Sequence, residues 1–184
     1  MNKKLSVFYA FDLQRFADPV QGSKIIYLLR VLSKATEKAA DVLAFQTEGS
    51  TSRSKDADTT ATKDGTVRTP GALEVEHSLT ALMAKGDPTI EELEQAQEND
   101  DPVEVWKVNL AEKGTGEDAN KFRAEYSRGY LTNIEVTGNS EDFAELSLTI
   151  GVYQKPKKGY ATLSVEQQEA AEYAFEDVTK KTAG

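Results

Sequence analysis

The chain has 184 residues, a formal net charge of −9 and no cysteine. Its length suits a single domain with a hydrophobic core, and the lack of cysteine excludes disulfides, thiolate nucleophiles and cysteine-bound metals. Lysine and arginine are scattered, so the sequence does not predict binding to DNA phosphates, which requires clustered basic residues. No apolar run is long enough to cross a bilayer.

The N-terminal part of the chain combines an irregular aromatic segment with an apolar run. Residues 1–21 carry several aromatic side chains without a sustained period, and we expect a flexible arm that orders only against a partner. Residues 24–32 are rich in β-branched and aromatic side chains, which favours a strand, although the period alone also allows a helix. A shorter apolar run follows at residues 42–45.

Residues 47–66 differ sharply from their surroundings because they contain no large apolar side chain. Such a segment cannot bury itself against a core. A polar loop of this length inside one domain is uncommon and is usually functional or disordered. We therefore predict a long polar loop at this place in the chain.

The middle of the chain predicts a strand followed by a helix. Residues 72–83 alternate between apolar and polar side chains, as in a strand with one buried face. His77 falls on the apolar side, where a lone histidine is far more often a structural residue than a ligand. The clearest helix starts at Asp87 and Pro88, a capping residue followed by a proline in the first turn, and ends before Pro102.

The next segments predict further strands. Residues 103–110 are strand-like, and residues 121–136 and 144–152 alternate strongly. The turn residues Thr137-Gly138-Asn139-Ser140 join the last two into a long antiparallel hairpin. Gly129, inside the first of these two strands, predicts a bulge or a tight bend.

The C-terminal part predicts one more helix, because Ser164 followed by Gln167 has the spacing of a capping box. The summed pattern predicts a mainly β (α+β) fold, an antiparallel β-sandwich or partly open barrel with a mid-chain helix and a C-terminal helix. This single domain would span residues 22–180, and residues 181–184 would fray.

The sequence offers little catalytic chemistry. It has one histidine, no cysteine, no glycine-rich phosphate loop and no zinc-ligand spacing. Glu74 and Glu76 point the same way on a predicted strand, but acidic side chains on a solvent face need no catalytic explanation. We predict no enzymatic activity, no cofactor and no bound metal.

The order of several segments resembles the major tail proteins of long, non-contractile bacteriophage tails from Gram-positive hosts. The resemblance covers residues 20–180. The segments that carry it are Gln21 to Arg30, Leu43 to Glu48, Ala61 to Gly65, Pro70 to Val75, Met83 to Pro88 and Gly159 to Leu163. Residues 11–18 are similar to a short segment at the start of several phage structural proteins, capsid proteins among them.

This resemblance implies a structural virion protein made in the host cytoplasm. Its protomers would form hexameric rings that stack into a tail tube through which DNA passes, without a membrane. Partners implied are tape-measure, tail-tip and tail-terminator proteins. The alternatives are another phage structural protein, such as a head–tail connector or minor capsid component, and, less favoured, a β-rich enzyme or carbohydrate-binding module.

The polar loop acquires a specific role from the same resemblance. In such tail proteins this loop reaches a neighbouring subunit or ring, so we expect it to be loose in the free protomer and to order on assembly. We also expect a polar, net acidic bore that does not bind DNA, supplied by one strand face or by the mid-chain helix. The candidate assembly residues are Glu48, Ser50, Arg53, Lys55, Asp56, Asp58, Lys63 and Asp64.

Overall fold

The computed structural model describes residues 19–43, 45–83, 88–138 and 143–171, with the side chains up to Gln168. Most of the predicted N-terminal arm, the capping residue Asp87, the turn residues Asn139 and Ser140, and the tail after residue 171 lie outside the described residues. None of the helices within the described ranges is long and apolar enough to span a membrane.

The described residues form eight strands and two helices. The strands are β1 (Ile25–Val31), β2 (Asp41–Val42), β3 (Gln46–Thr62), β4 (Gly65–Leu82), β5 (Val103–Lys113), β6 (Phe122–Thr137), β7 (Glu145–Val152) and β8 (Lys157–Ala161). The helices are α1 (Pro88–Glu98) and α2 (Val165–Ala171), and short 3-10 turns occur at Gly22–Lys24, Leu32–Lys34 and Gly116–Asp118.

All eight strands belong to one antiparallel sheet. The order is β2-β1-β5-β6-β7-β4-β3, and β8 pairs with the N-terminal half of β6, beside the place where β7 pairs with its C-terminal half. The sheet is not closed into a barrel, but its ends approach each other. There, the side-chain amide of Gln46 on β3 accepts a hydrogen bond from the backbone N–H of Tyr27 on β1 (3.1 Å) and donates one to its carbonyl oxygen (2.5 Å).

The hydrophobic core lies on both faces of the sheet. The larger cluster packs on the face of the sheet that α1 covers, where β1, β4, β5, β6 and β7 contribute residues such as Leu79, Val105 and Ile150. A smaller cluster packs on the opposite face of β1, β5 and β6, under Leu163. Burial on both faces explains why β1 reads as a continuous apolar run instead of alternating, which left its secondary structure open at the sequence level.

The predicted mainly β, antiparallel architecture with a mid-chain and a C-terminal helix is confirmed. The capping box is also confirmed, because Ser164 N–H donates to Gln167 Oε1 (2.8 Å) and Gln167 N–H donates to Ser164 Oγ (3.2 Å). Helix α1 is followed by Asp100 in a left-handed conformation (φ 54°), just before Pro102.

The prediction of a loop over residues 47–66 is wrong. This segment forms most of β3 and the start of β4, which pair along their whole length around a turn at Lys63 and Asp64. The prediction treated burial as the requirement for regular structure, whereas a strand can be held by backbone pairing alone. The dense threonines and the Asp64-Gly65 turn dipeptide favour such a hairpin.

Two further details differ from the sequence-based expectations. Gly129 pairs regularly with Val103 and Val152, and the irregularity of β6 lies instead between Leu131 and Asn133. A Cβ atom at Gly129 would lie 2.4 Å from the carbonyl oxygen of Gly151, so a close backbone approach explains this glycine. Strand β8 was missed because it is short and does not alternate.

Candidate assembly surfaces

The β3–β4 hairpin extends well beyond the rest of the sheet. Going along β4 from the body of the sheet towards the turn, pairing with β7 ends at Val75, which lies opposite Val152. From there to the turn, β3 and β4 pair only with each other, and every residue from 54 to 74 is exposed. We call residues 54–74 the ribbon, and its length corresponds to a projection of about 30 Å.

The ribbon has two strand edges that pair with no other strand among the described residues. A two-stranded hairpin is marginally stable in water by itself, and an unpaired edge is a template for another strand. The pairing between Lys55 and Ala57 is irregular, which bends and twists a ribbon. Its large apolar side chains, Val67 and Leu73, are 54% and 38% exposed, so neither anchors it to the body.

The structure divides the eight predicted assembly residues between two regions. Glu48, Ser50 and Arg53 lie on the part of β3 that belongs to the body of the sheet. The other five, Lys55, Asp56, Asp58, Lys63 and Asp64, lie in the ribbon or at its turn. The sequence-based set left out the second limb, including Arg68 and Val67, because the predicted strand began only at residue 72.

A chain of hydrogen bonds crosses the base of the hairpin. Tyr27 Oη on β1 and Thr51 Oγ1 on β3 are 3.0 Å apart, and Thr51 Oγ1 lies 3.0 Å from His77 Nδ1 on β4. The other imidazole nitrogen, Nε2, lies 2.8 Å from Ser127 Oγ on β6. We call Tyr27, Thr51, His77 and Ser127 the root network, and it confirms that His77 is a buried structural residue.

The environment of the root network keeps its histidine neutral. Burial lowers the pKa of His77 to about 4; the carboxylate of Glu125 opposes this shift, whereas Lys107 and Arg53 add to it. Burial likewise raises the pKa of the Tyr27 phenol. Arg53 Nη2 donates to Glu125 Oε1 (2.5 Å), which ties β3 to β6 one layer nearer the ribbon.

The face of β3, β4, β6 and β7 that points away from the core is polar and acidic. Cross-strand rows such as Asn133, Thr149, Ser78 and Ser50 run across it. The polar residues of this face, which we call the polar face, are Glu48, Ser50, Ser52, Ser54, Glu74, Glu76, Ser78, Thr80, Asn133, Glu135, Glu145, Ser147 and Thr149, and they include five glutamates and no lysine or arginine. The row of Ser52, Glu76 and Gly151 ends at Tyr130, which is 44% exposed.

A buried carboxylate lies away from both the root network and the polar face. Glu104 is 3% exposed and accepts two hydrogen bonds from the guanidinium of Arg30, at 2.9 Å and 2.6 Å, and one from Tyr126 Oη at 2.5 Å. Arg30 also donates to the carbonyl oxygen of Lys38 (3.1 Å). These hydrogen bonds connect β1, β5 and β6 with the segment that follows β1. Both carboxylate oxygens of Glu104 are already bonded, which fits a structural ion pair and not an acid or base catalyst.

Comparison with known proteins identifies the family. Residues 19–158 match the phage tail tube protein family. The chain belongs to this family. A tail protein of Staphylococcus phage phiMR25 is 34% identical to this tail tube protein over 154 residues, which are 82% of this chain and 80% of that relative. The tail tube protein of Bacillus phage SPP1 is 26% identical over 141 residues, covering 77% of this chain and 52% of that protein.

Solved tail tubes share the fold of this tail tube protein. The SPP1 tail tube structure matches with a TM-score of 0.68 at 19% identity, over 90% of this chain and 95% of that one. The tail of an empty gene transfer agent particle, determined with C6 symmetry, matches with a TM-score of 0.58 at 13% identity, over 76% and 98% of the two chains. The protein is therefore a structural component of a phage tail, as the resemblance in the sequence indicated.

Proposed function

We propose that six copies of this tail tube protein form a ring and that rings stack through the ribbon. The observation that carries this proposal is the ribbon itself, a fully exposed two-stranded projection whose edges no other strand in the described part of the chain covers. The C6 symmetry of the gene transfer agent tail, whose subunit has the same fold, supports the ring number. A neighbouring copy is the natural partner because every copy carries the same projection.

The energetics favour a protomer that assembles only on a growing end. Within the protomer, the ribbon gains little from burial, and its ordering costs conformational entropy. Contacts with a neighbouring copy offset that cost only after docking. Free protomers therefore stay single until a first ring presents many contacts at once, and tube growth is then cooperative.

Truncation of the ribbon tests this role. Residues 56–72 are replaced by Asn-Gly, so that a two-residue turn connects Lys55 directly to its pairing partner Leu73. We expect a folded protomer whose circular dichroism loses only the contribution of the removed strand residues and that forms no tubes by electron microscopy. The control is the substitution Glu117→Gln, at an exposed site outside the hairpin. Normal tube growth by the truncated protein would exclude the proposed stacking role.

We further propose that the polar face lines the bore through which DNA passes. DNA must slide without binding, and a surface with five glutamates and no basic side chain repels phosphates. Serine and threonine side chains keep most of this surface hydrated. Helix α1, whose exposed side carries Glu91 and Glu94, is the alternative lining that the sequence left open.

Charge reversal distinguishes the two linings. Phages are compared that carry either Glu76→Lys with Glu135→Lys on the polar face, or Glu91→Lys with Glu94→Lys on α1, so that both variants add the same charge. We expect the first pair to slow triggered DNA ejection at low salt, with recovery at higher salt, and the second pair to leave it unchanged. The opposite result would assign the bore to α1.

The proposed role is structural and not enzymatic, and its partners are other tail components. The fold also occurs in the baseplate of the anti-feeding prophage, with a TM-score of 0.56 at 9% identity, which supports end-to-end contacts with related rings at the tail tip. Tape-measure and tail-terminator proteins are the further partners we propose, inside and at the end of the tube. A head–tail connector would form a ring that does not polymerise, so open-ended stacking of purified protein seeded with preformed rings separates the two functions.

A further inference from the structure

We propose that the root network is a positioning device that fixes the direction in which the ribbon leaves the body of the protomer. This inference rests on the proposed stacking role of the ribbon. It assigns a role to a buried histidine and to three hydroxyl groups, one of them on Tyr27, whose ring is part of the larger core cluster. The positioning residues are Tyr27, Thr51, His77 and Ser127.

The first argument is the location of the network. Thr51 and His77 are directly paired across β3 and β4. They lie two residues on the body side of Val75, where the pairing of β4 with β7 ends. Their side chains point into the fold, where Tyr27 and Ser127 meet them from β1 and β6. The network therefore holds both limbs of the hairpin to two other strands at the place where the ribbon departs.

The second argument is the weak attachment of β3 elsewhere. It is the last strand of the sheet formed by the described residues, where its backbone pairs on one side only, with β4. Outside the network, side chains attach it to the body: Gln46 to the Tyr27 backbone, and Arg53 to Glu125. A Cβ atom at Gly49 would lie 2.5 Å from the Tyr27 ring, so the glycine lets β3 lie directly on this ring.

The third argument is leverage. A rotation of about 10° at the root moves the end of a ribbon about 30 Å long by about 5 Å, which equals the spacing between two strands in a sheet. An error of that size places the ribbon edge one strand away from its partner on the next ring. A ribbon without a rigid root would therefore sample many directions that do not allow docking, and the fraction of competent protomers would fall.

The network suits this purpose because it is buried and directional. His77 is 1% exposed and Ser127 is 3% exposed, so water does not compete for their hydrogen bonds. A neutral imidazole donates from one nitrogen and accepts at the other, and the hydroxyl groups can supply the complementary role. An apolar contact at this place would tolerate sliding, whereas each hydrogen bond is lost within a few tenths of an ångström.

Spin-label distances test the proposal on the protomer alone. Since the chain has no cysteine, the pair Thr60→Cys and Asn133→Cys labels the ribbon and the body without background. Thr51→Val removes two links of the network, whereas Tyr27→Phe and Ser127→Ala remove one each. Thr51→Val and Tyr27→Phe also preserve strand propensity. The matched control is Thr115→Val, at an exposed site between β5 and β6, outside both the network and the polar face.

We expect the distance distribution to become about twofold broader in the network variants and to stay unchanged in the control. Elongation of seeded tubes should slow about fivefold, in proportion to the lost fraction of competent protomers. An unchanged width in both Thr51→Val and Ser127→Ala would overturn the proposal, as would a broader distribution with normal elongation. Failure of the stacking role would appear separately, as normal tube growth by the truncated ribbon.

Discussion

The body of the protomer and its ribbon are built from the same kind of strand but are stabilised in different ways. In the body, strands such as β7 bury alternate side chains, with Leu146, Leu148 and Ile150 each at most 1% exposed. In the ribbon, the backbone pairing continues and the burial stops. Pairing determines the secondary structure, whereas burial determines whether that structure is stable without a partner.

Hydrogen exchange should show the largest difference between the two regions. In free protomers, the amides of β7 should exchange only on global unfolding, with protection of roughly 5–15 kcal/mol. The amides of residues 56–62 should exchange with little protection, because the ribbon opens locally. In assembled tubes, the ribbon should become protected. Equal protection of both regions in the protomer would contradict the comparison.

A cavity in the core should affect the body strongly. Leu79→Ala removes a side chain that is 1% exposed from the larger core cluster, and we expect a loss of about 3 kcal/mol in the free energy of unfolding. Urea unfolding followed by circular dichroism measures this loss. The control Leu73→Ala, at an exposed site of the ribbon, should change stability by less than about 0.5 kcal/mol.

Acidification should destabilise the protomer through His77. The pKa of this histidine is lowered from 6.5 to about 4 in the folded protein, so the unfolded chain takes up a proton first as the pH falls. The stabilisation is complete above pH 6.5 and is lost towards pH 4, with a total of about 3 kcal/mol. His77 is the only histidine, so its NMR signal in untagged protein reports the pKa directly.

Titration of the unfolded protein provides the reference for the lowered pKa of His77. In urea-unfolded protein the same signal should titrate near the ordinary value of about 6.5. A folded-state midpoint near that value would mean that the root network is open to water and that the pH dependence of stability arises from carboxylates.

A substitution on the surface of the ribbon should change stability least but should still slow assembly. Val67→Thr replaces the most exposed large apolar side chain of the ribbon and keeps its strand propensity. We expect the free energy of unfolding to change by less than about 0.5 kcal/mol. Tube elongation should nevertheless slow, since an apolar contact with the neighbouring ring is lost. Unchanged elongation would place Val67 outside the contact surface.

Much of the fold could be predicted from patterns within single segments. Alternation predicted the inner strand faces of β4 and β7, the Ser164–Gln167 spacing predicted the start of α2, and the position of His77 predicted its burial. These predictions succeeded because each depends on neighbours that are close in sequence, where the side-chain period and the capping geometry are fixed by the backbone.

The sequence by itself determined the acidic charge and the mainly β fold, and its resemblance indicated a tail tube protein. It also showed that residues 47–66 lie outside the hydrophobic core. Only the tertiary structure decided that residues 47–62 pair with β4, that Tyr27, Thr51, His77 and Ser127 meet, and that five glutamates share one face. The hydrogen bonds of the root network join residues 24 to 50 positions apart. Such contacts depend on register and on the curl of the whole sheet, which no local period encodes.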